Sequence, residues 1–293
     1  MSKKKIRFIK NPFSGPKSGI KIDQLIKTHI DEDIYDYEIS HTEYAGHATI
    51  LAKEAVDNEY FAVIAVGGDG TINEVGSSLV NTETALGIIP LGSGNGLAYH
   101  LGIRRNIITA IQSLNACQLV PIDTGVANGR FFINVAGLGL DATVAYNTKF
   151  NSRRGFIPYF INTLKESLNF KYLSLHIKTQ DNEWEGEYAM AVIANGSVYG
   201  YDFTIAPQAL LNDGQFDVVL IKKTQVFRYF FLVPRMLNNT IHNSPLVKYF
   251  KTSEITILNK LGGYFHLDGE GFVCEESIHF KVLPSSILLL SNF

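Results

Sequence analysis

The sequence predicts an N-terminal α/β domain followed by an antiparallel, mostly β domain. Three observations carry that prediction. Two continuous apolar runs, Phe61–Val66 and Ala85–Ile89, each end in a glycine-rich turn, as strands buried on both faces of a parallel sheet do. Segments with apolar residues at helical spacing alternate with such runs. From about Asp123 onward, short stretches alternate apolar and polar residues with period two.

In chain order, Ile6–Ile9 reads as a short strand closed by Asn11-Pro12, and Ile34–Ile39 as a second. Ala48, Leu51, Ala52 and Ala55 put a helix over Gly46–Val56. Phe61–Val66 runs into Gly67-Gly68-Asp69-Gly70, and Ile72, Val75 and Leu79 then share one face of a helix over Thr71–Leu79. Ala85–Ile89 runs into Pro90-Leu91-Gly92-Ser93-Gly94-Asn95-Gly96. In the second part Leu173, Leu175 and Ile177 alternate with Ser174, His176 and Lys178. Phe216, Val218 and Leu220 alternate with Asp217, Val219 and Ile221, and Ile278, Phe280 and Val282 with His279 and Lys281. One helix, Pro158–Leu168, is expected to interrupt this pattern. The change of texture divides the chain into 1–123 and 124–283.

At 293 residues the chain has room for two domains of about 150 residues each. Apolar residues at 46% and charged residues at 18% supply a core and exclude a disordered chain. Lys plus Arg is 26 against 28 for Asp plus Glu, a net charge of −2, so nucleic acid is not an expected partner. Cys117 and Cys274 form neither a disulfide framework nor a CxxC site, which fits a reducing cytoplasm. The basic start, Met1–Lys5, is followed by an apolar stretch that breaks at Lys10-Asn11-Pro12, too short for a signal peptide. The most apolar later segment, Val226–Val233, is interrupted by Arg228 and stopped by Pro234, well short of the ~18 apolar residues of a membrane span. A soluble or peripheral protein is expected.

A strand, then GGDG, then a helix opening at Thr71 is a phosphate-binding arrangement. Glycines let backbone N–H groups face an anion, and the helix adds its N-terminal dipole. Asp69 in such a loop repels phosphate, so its natural work is to hold Mg²⁺ or its waters; a helix N-cap is the plainer alternative. The second glycine loop, Gly92 to Gly96, follows the next buried strand, and two such loops side by side can clamp one polyphosphate. Neither a GxGxxG fingerprint nor a Walker P-loop is present, since Lys17 is not preceded by GxxxxG. Eight histidines without HxH or HExxH spacing indicate no zinc site.

Asn11-Pro-x-Ser14-Gly15, Gly67-Gly68-Asp69-Gly70-Thr71 with Asn73-Glu74-Val75, and Pro90-x-Gly92-Ser93-Gly94-Asn95 resemble the diacylglycerol kinase catalytic-domain family, which includes sphingosine, ceramide and bacterial lipid kinases. Asp123-x-Gly125, Phe132-Ile-Asn134, Gly139-Leu-Asp141-Ala142, Asn195-Gly196, Ala206-Pro207-x-Ala209, Asp213-Gly214 and Asp268-Gly269-Glu270 continue the resemblance in order over nearly the whole chain. It implies a nucleotide-binding α/β domain and a C-terminal antiparallel β-sandwich, with the active site in the interdomain cleft and 284–293 returning to the first domain. It also implies ATP and Mg²⁺ as cofactors. Nucleotide contacts would come from Asn11, Ser14, Gly15, Thr42, Gly67, Gly68, Gly70, Thr71, Glu74, Gly92, Ser93, Gly94 and Asn95. Asp268 or Glu270 would be the base that takes the acceptor proton, with Asp69 a third catalytic candidate. An extended Asp268-Gly269-Glu270 would point both carboxylates to one face; a surface turn in a β domain is the plainer alternative. Metal contacts would come from Asp69 and Asp123 and from a structural Mg²⁺ loop formed by Leu210, Asp213 and Gln215; an Asp-Gly turn is the alternative for that loop.

Asn95-Gly96 stands where many diacylglycerol kinases have Asn-Asp, closer to the sphingosine and ceramide kinase pattern, and Gly200-Tyr201-Asp202 departs from the family's glycines. Both leave the acceptor lipid open. The expected function is γ-phosphoryl transfer to a hydroxyl of a membrane lipid such as diacylglycerol or a long-chain base. An NAD kinase-like phosphotransferase and a non-catalytic nucleotide- or lipid-binding regulator are the alternatives. Expected partners are a lipid substrate, a membrane surface met peripherally during turnover, and a second copy of the chain. Arg153-Arg154 beside Phe156 and Tyr159 could meet an acidic headgroup or membrane, or stand at a solvated helix start.

Overall fold

The computed structural model describes residues 3–15, 21–103, 106–148, 172–200, 202–259 and 262–291. The expected helix over Pro158–Leu168, the Arg153-Arg154 pair and Tyr201 lie outside them. The chain divides into unit 1, Met1–Ile122 with Ser285–Phe293, and unit 2, Asp123–Pro284.

In unit 1, β1 (Lys4–Lys10), β2 (Tyr35–His41), β3 (Ala62–Gly67) and β4 (Ala85–Pro90) form a parallel sheet in the order β2-β1-β3-β4. All six residues of β3 and of β4 are buried, as their unbroken apolar runs require. The crossovers are α1 (Ile22–His29), α2 (His47–Asp57) and α3 (Asp69–Leu79), followed by α4 (Gly96–His100) and α5 (Ile107–Leu114). Strand order therefore reverses beside β1 and β3, and in open sheets of this kind ligands bind outside the strands' carboxyl ends at that reversal. The last part of the chain completes this unit. Leu289 pairs with Leu86 of β4, Leu290 is buried in the core beside Ile89 and Ile111, and the Ser286 carbonyl accepts from the Asn81 N–H at 2.7 Å.

Unit 2 is antiparallel. β5 (Gln118–Ala127) enters it and β6 (Arg130–Phe132) pairs back on β5. The long β9 (Glu183–Ala194) is the hub: it pairs first with β8 (Leu173–Thr179), then with β7 (Val135–Gly139) and β12 (Phe216–Lys222). Between β9 and β12 lie β10 (Val198–Gly200) and β11 (Phe203–Thr204), a two-stranded pair. β13 (Val247–Thr252) continues from β12, β14 (Glu254–Leu258) pairs with β8, and β15 (Tyr264–Leu267) joins β7 to β16 (Glu270–Val273). β17 (Ser277–Ser291) pairs with β14 through residues 277–281. Alternation puts successive residues on opposite faces, and here each face meets its own core. Ala191 and Ile193 of β9 join Phe216, Val218 and Leu220 of β12 in one cluster, while Val192 and Ala194 join Val219 and Ile221 in another.

Three helices of unit 2 have no counterpart in the sequence-based expectation: α6 (Leu140–Thr148), α7 (Val226–Tyr229) and α8 (Leu232–Leu237). Leu140, Ala142, Val144 and Ala145 of α6 are all buried, so it carries no one-sided apolar stripe for periodicity to reveal. α7 and α8 are short and separated by the pair Phe230-Phe231. Among the described residues no helix is long and apolar enough to cross a membrane.

Candidate active site

Two glycine loops of unit 1 stand backbone to backbone. A Cβ on Gly92 would lie 2.6 Å from the Gly68 Cα, so Gly92 tolerates no side chain at the contact, and a Cβ on Gly68 would be a tight 3.1 Å from the Gly92 Cα. Gly67 is equally closed, because a Cβ there would run into the Thr71 side chain. Asp69, the first residue of α3, locks the loops together. Its Oδ2 accepts from the Asn95 N–H at 2.9 Å and its Oδ1 from the Gly96 N–H at 2.8 Å. Asn95 occupies the left-handed region at φ 54°, is fully buried, and donates from Nδ2 to the Gly92 carbonyl. Its Oδ1 is buried with no protein partner, an orphaned acceptor inside the loop cluster.

The third small-residue turn follows β1. Asn11 Oδ1 accepts from the Phe13 N–H, the Ser14 N–H donates to the Asn11 carbonyl, Asn11 Nδ2 lies 3.5 Å from Thr71 Oγ1, and Gly15 has φ 108°. Thr42 is buried, with its N–H on the Lys10 carbonyl. Glu74 caps α2: its carboxylate accepts from the Gly46 N–H at 3.0 Å and the Ala48 N–H at 3.2 Å. Asn11, Thr71, Asp69 and the loop 92–96 thus share one end of the sheet, and Glu74 ties α2 to α3 beside them. Gly70 and Ser93 belong to the same two loops.

In unit 2, Asp268-Gly269-Glu270 is not extended. Leu267 pairs with Glu270, and Asp268 and Gly269 form a two-residue turn with φ 48° and 85°. Two positive φ values at a two-residue hairpin are those of a type I′ turn, which Asp-Gly favours. This corrects the expectation that both carboxylates point to one face. The Asp268 carboxylate turns inward and accepts from the N–H groups of Ile133 at 2.9 Å, Asn134 at 2.9 Å and Val135 at 3.0 Å, while its own N–H donates to the Val135 carbonyl. Glu270, one residue beyond the turn, is exposed.

Several residues quoted only for the motif pattern converge on this turn. Asn195, fully buried, donates to the Asp123 and Ile133 carbonyls, and the Asn134 carbonyl accepts from the Asn195 and Gly196 N–H groups. Sequence reasoning missed a buried network beneath the turn. His266 Nε2 lies 3.0 Å from Asp141 Oδ2, Tyr199 donates to the same oxygen at 2.6 Å, and His266 Nδ1 accepts from the Gly269 N–H at 3.4 Å. These contacts assign the proton to Nε2. Nothing in the sequence marks His266, whose partner Asp141 lies 125 residues away.

Asp213 forms an Asp-Gly turn, accepting from the Gln215 N–H, with Gly214 at φ 71°. The buried Asp123 Oδ2 accepts from the Gly214 N–H at 2.6 Å, and the Asp123 N–H donates to the Leu211 carbonyl. The Lys251 ammonium pairs with Asp213 at 2.6 Å and buried Asp217 at 3.3 Å, and donates to the Gln208 carbonyl. Burial pushes the Asp217 carboxyl up, against the lowering pull of Tyr249 and Lys251. The loop's carboxylate already holds a cation, so Leu210, Asp213 and Gln215 as built do not fit a metal ion in addition. Among the described residues no three His, Cys, Asp or Glu side chains gather as a metal cage. The Asn95 Oδ1 beside Asp69 is different: a buried oxygen without a protein partner suits a Mg²⁺ that takes its other ligands from phosphates and water.

The profile of the diacylglycerol kinase catalytic domain matches residues 5–127, and that of the YegS C-terminal NAD kinase beta sandwich-like domain matches 134–291. A diacylglycerol kinase from Bacillus subtilis (strain 168) is 31% identical over 273 residues, covering 91% of this chain and 90% of its own length. The chain belongs to the diacylglycerol kinase family. A second member, from Staphylococcus epidermidis (strain ATCC 12228 / FDA PCI 1200), is 30% identical over 92% of this chain and 86% of its own. The crystal structure of a diacylglycerol kinase from Bacillus anthracis str. Sterne shares the fold, with a TM-score of 0.77 over 100% of this chain and 98% of that one at 21% identity. The two-domain architecture of α/β domain and β-sandwich is that of the family.

Proposed function

We propose that this chain is an ATP-dependent lipid kinase that transfers the γ-phosphoryl group to a hydroxyl of a membrane lipid, diacylglycerol or a long-chain base. The observation that carries it is the paired glycine loops, fixed in contact at Gly68 and Gly92 by Asp69, at the helix end where a polyphosphate is best received. Mg²⁺ arriving with ATP would use Asp69 and Asn95 and neutralise phosphate charge. In this reading Asp69 is a positioning residue as well as a metal contact.

Phosphoryl transfer to an alcohol needs its proton removed as the oxygen bonds to phosphorus. Asp268 spends both oxygens on backbone N–H groups, which favours Glu270 as the base that takes the hydroxyl proton while ADP departs. Asp268, His266 and Asp141 hold the turn that presents it. The protein would act in the cytoplasm and meet the membrane peripherally. Purified protein, labelled ATP and vesicles carrying diacylglycerol or sphingosine provide the test, with product identified by mass. Label entering lipid supports the reading; label entering NAD and no lipid would replace it with the NAD kinase-like alternative, and no turnover with retained ATP binding would favour a regulator.

A further inference from the structure

Four of the eleven large apolar side chains exposed among the described residues lie within eleven positions of unit 2: Phe227, Phe230, Phe231 and Leu237. Phe231 is 65% exposed and Phe227 56%. They are held out by an anchored scaffold. Leu232 is buried, Tyr229 and Met236 pack on the second core of the sandwich, and the Tyr229 hydroxyl accepts from the Thr224 N–H and donates to the Lys222 carbonyl. Leaving large aromatic groups in water on a fixed support is unfavourable unless something covers them.

Charge says what covers them. From Val218 to Ser253 the sequence has six Lys or Arg and no Asp or Glu. Lys223 is paired with Glu187 and Lys251 with Asp213, but Arg228 and Arg235 have no ion pair among the described residues. Phe231, Pro234 and Arg235 share a surface concavity with the polar side chains of Asn238, Thr240 and Asn243. Aromatic groups, unpaired guanidinium groups and amide and hydroxyl donors, on a segment that carries no carboxylate of its own from 218 to 253, match a layer that is anionic at its surface and apolar beneath.

We propose that the α7–α8 face of unit 2 docks on an anionic lipid bilayer, with Phe227, Phe230, Phe231 and Leu237 entering the acyl boundary and Arg228 and Arg235 meeting headgroup phosphates. This deepens the lipid-substrate reading, but binding is measured without turnover and so stands or falls separately. The full chain is floated with vesicles of phosphatidylcholine alone or with phosphatidylglycerol. Wild type should prefer the anionic vesicles by about thirtyfold, and Arg228→Gln with Arg235→Gln should remove most of that preference, about fivefold for each arginine. Phe230→Ser and Phe231→Ser should each weaken binding about tenfold, leaving phosphorylation of detergent-dispersed lipid unchanged. If a serine variant fails to fold, the arginine pair alone decides. Vesicle binding unaffected by the arginine and phenylalanine changes would overturn the proposal. So would a dimer in sedimentation that Phe231→Ser dissociates, since a second copy would then cover the face. Vesicle binding as predicted without any lipid phosphorylation would leave this surface standing and remove the kinase reading.

Discussion

Asp69 of unit 1 and Asp268 of unit 2 each sit beside a glycine, one at the start of α3 and the other in a tight hairpin turn, and each gives its carboxylate to backbone N–H groups of another segment. They do so in opposite settings. Asp69 joins two glycine loops that carry almost no side chains, so its two bonds set the shape of a ligand cradle. Asp268 joins a hairpin to the 133–135 segment through three bonds, beside fully buried Asn195 and against the main core of the sandwich. The same residue type therefore shapes a binding surface in one unit and supports the fold in the other.

The largest effect expected is that of Asp268→Ala. Three charge-assisted bonds go at once and leave buried donors unpaired, on the order of 4 kcal/mol of unit 2 stability. Trp184, the single tryptophan, lies in unit 2 and reports that loss directly in urea. A tryptophan transition unmoved by the substitution would break the comparison. Glu270→Gln should do the reverse. The Trp184 transition stays within about 0.5 kcal/mol, while kcat falls roughly 10²–10⁴-fold with ATP affinity kept, as calorimetry would show. A stable Glu270→Gln enzyme with full kcat would return the base to another group.

Asp69→Ala should be milder in stability, about 1–2 kcal/mol for two part-buried bonds, and severe in turnover, about 10²-fold, because the loops lose their mutual position. Calorimetry and steady-state kinetics on the same sample separate the two. An equal stability loss for Asp69→Ala and Asp268→Ala would mean that the two carboxylates support the fold alike.

The last effect concerns acid. Burial lowers the His100 imidazole, at the end of α4 in unit 1, to about 4. The unfolded chain then binds the extra proton between about pH 6.5 and 4, so unit 1 loses stability as pH falls through that window, up to about 3 kcal/mol. Burial moves Asp217 of unit 2 the other way, upward, so the folded form binds the extra proton and falling pH favours unit 2. Acid should loosen unit 1 before the Trp184 signal changes, and His100→Asn should flatten the unit 1 dependence. Simultaneous loss of both signals in wild type would contradict it.

These differences mark what was legible. β3, β4 and their glycine turns were readable because a strand buried on both faces is a continuous apolar run and a close backbone approach demands glycine, both local facts. The Asp268 clamp was not, because its donors lie 133 to 135 residues away and a carboxylate beside glycine looks the same whether it faces substrate or backbone. The turn itself had a local signal, Asp-Gly between alternating stretches, and a turn was the alternative that the family resemblance set aside. The Lys251 ammonium at Asp213 was invisible for the same reason of distance, 38 residues along the chain. The exposed aromatic groups of α7 and α8 were read as a greasy segment, since sequence does not tell which side of an apolar run is left in water.

The pairing of Leu289 with Leu86 and the burial of Leu290 have a consequence for biosynthesis. The N-terminal sheet is made first, yet its final strand leaves the ribosome only after all of unit 2. At about 5–20 residues per second the nascent sheet waits roughly 10–30 s with the β4 edge unfinished. Through that interval it exposes an apolar strand edge open to pairing with other chains. Newly made protein, rather than mature protein, is therefore where this chain is most prone to aggregate, and supplying a peptide spanning residues 285–291 during cell-free synthesis should raise the soluble yield.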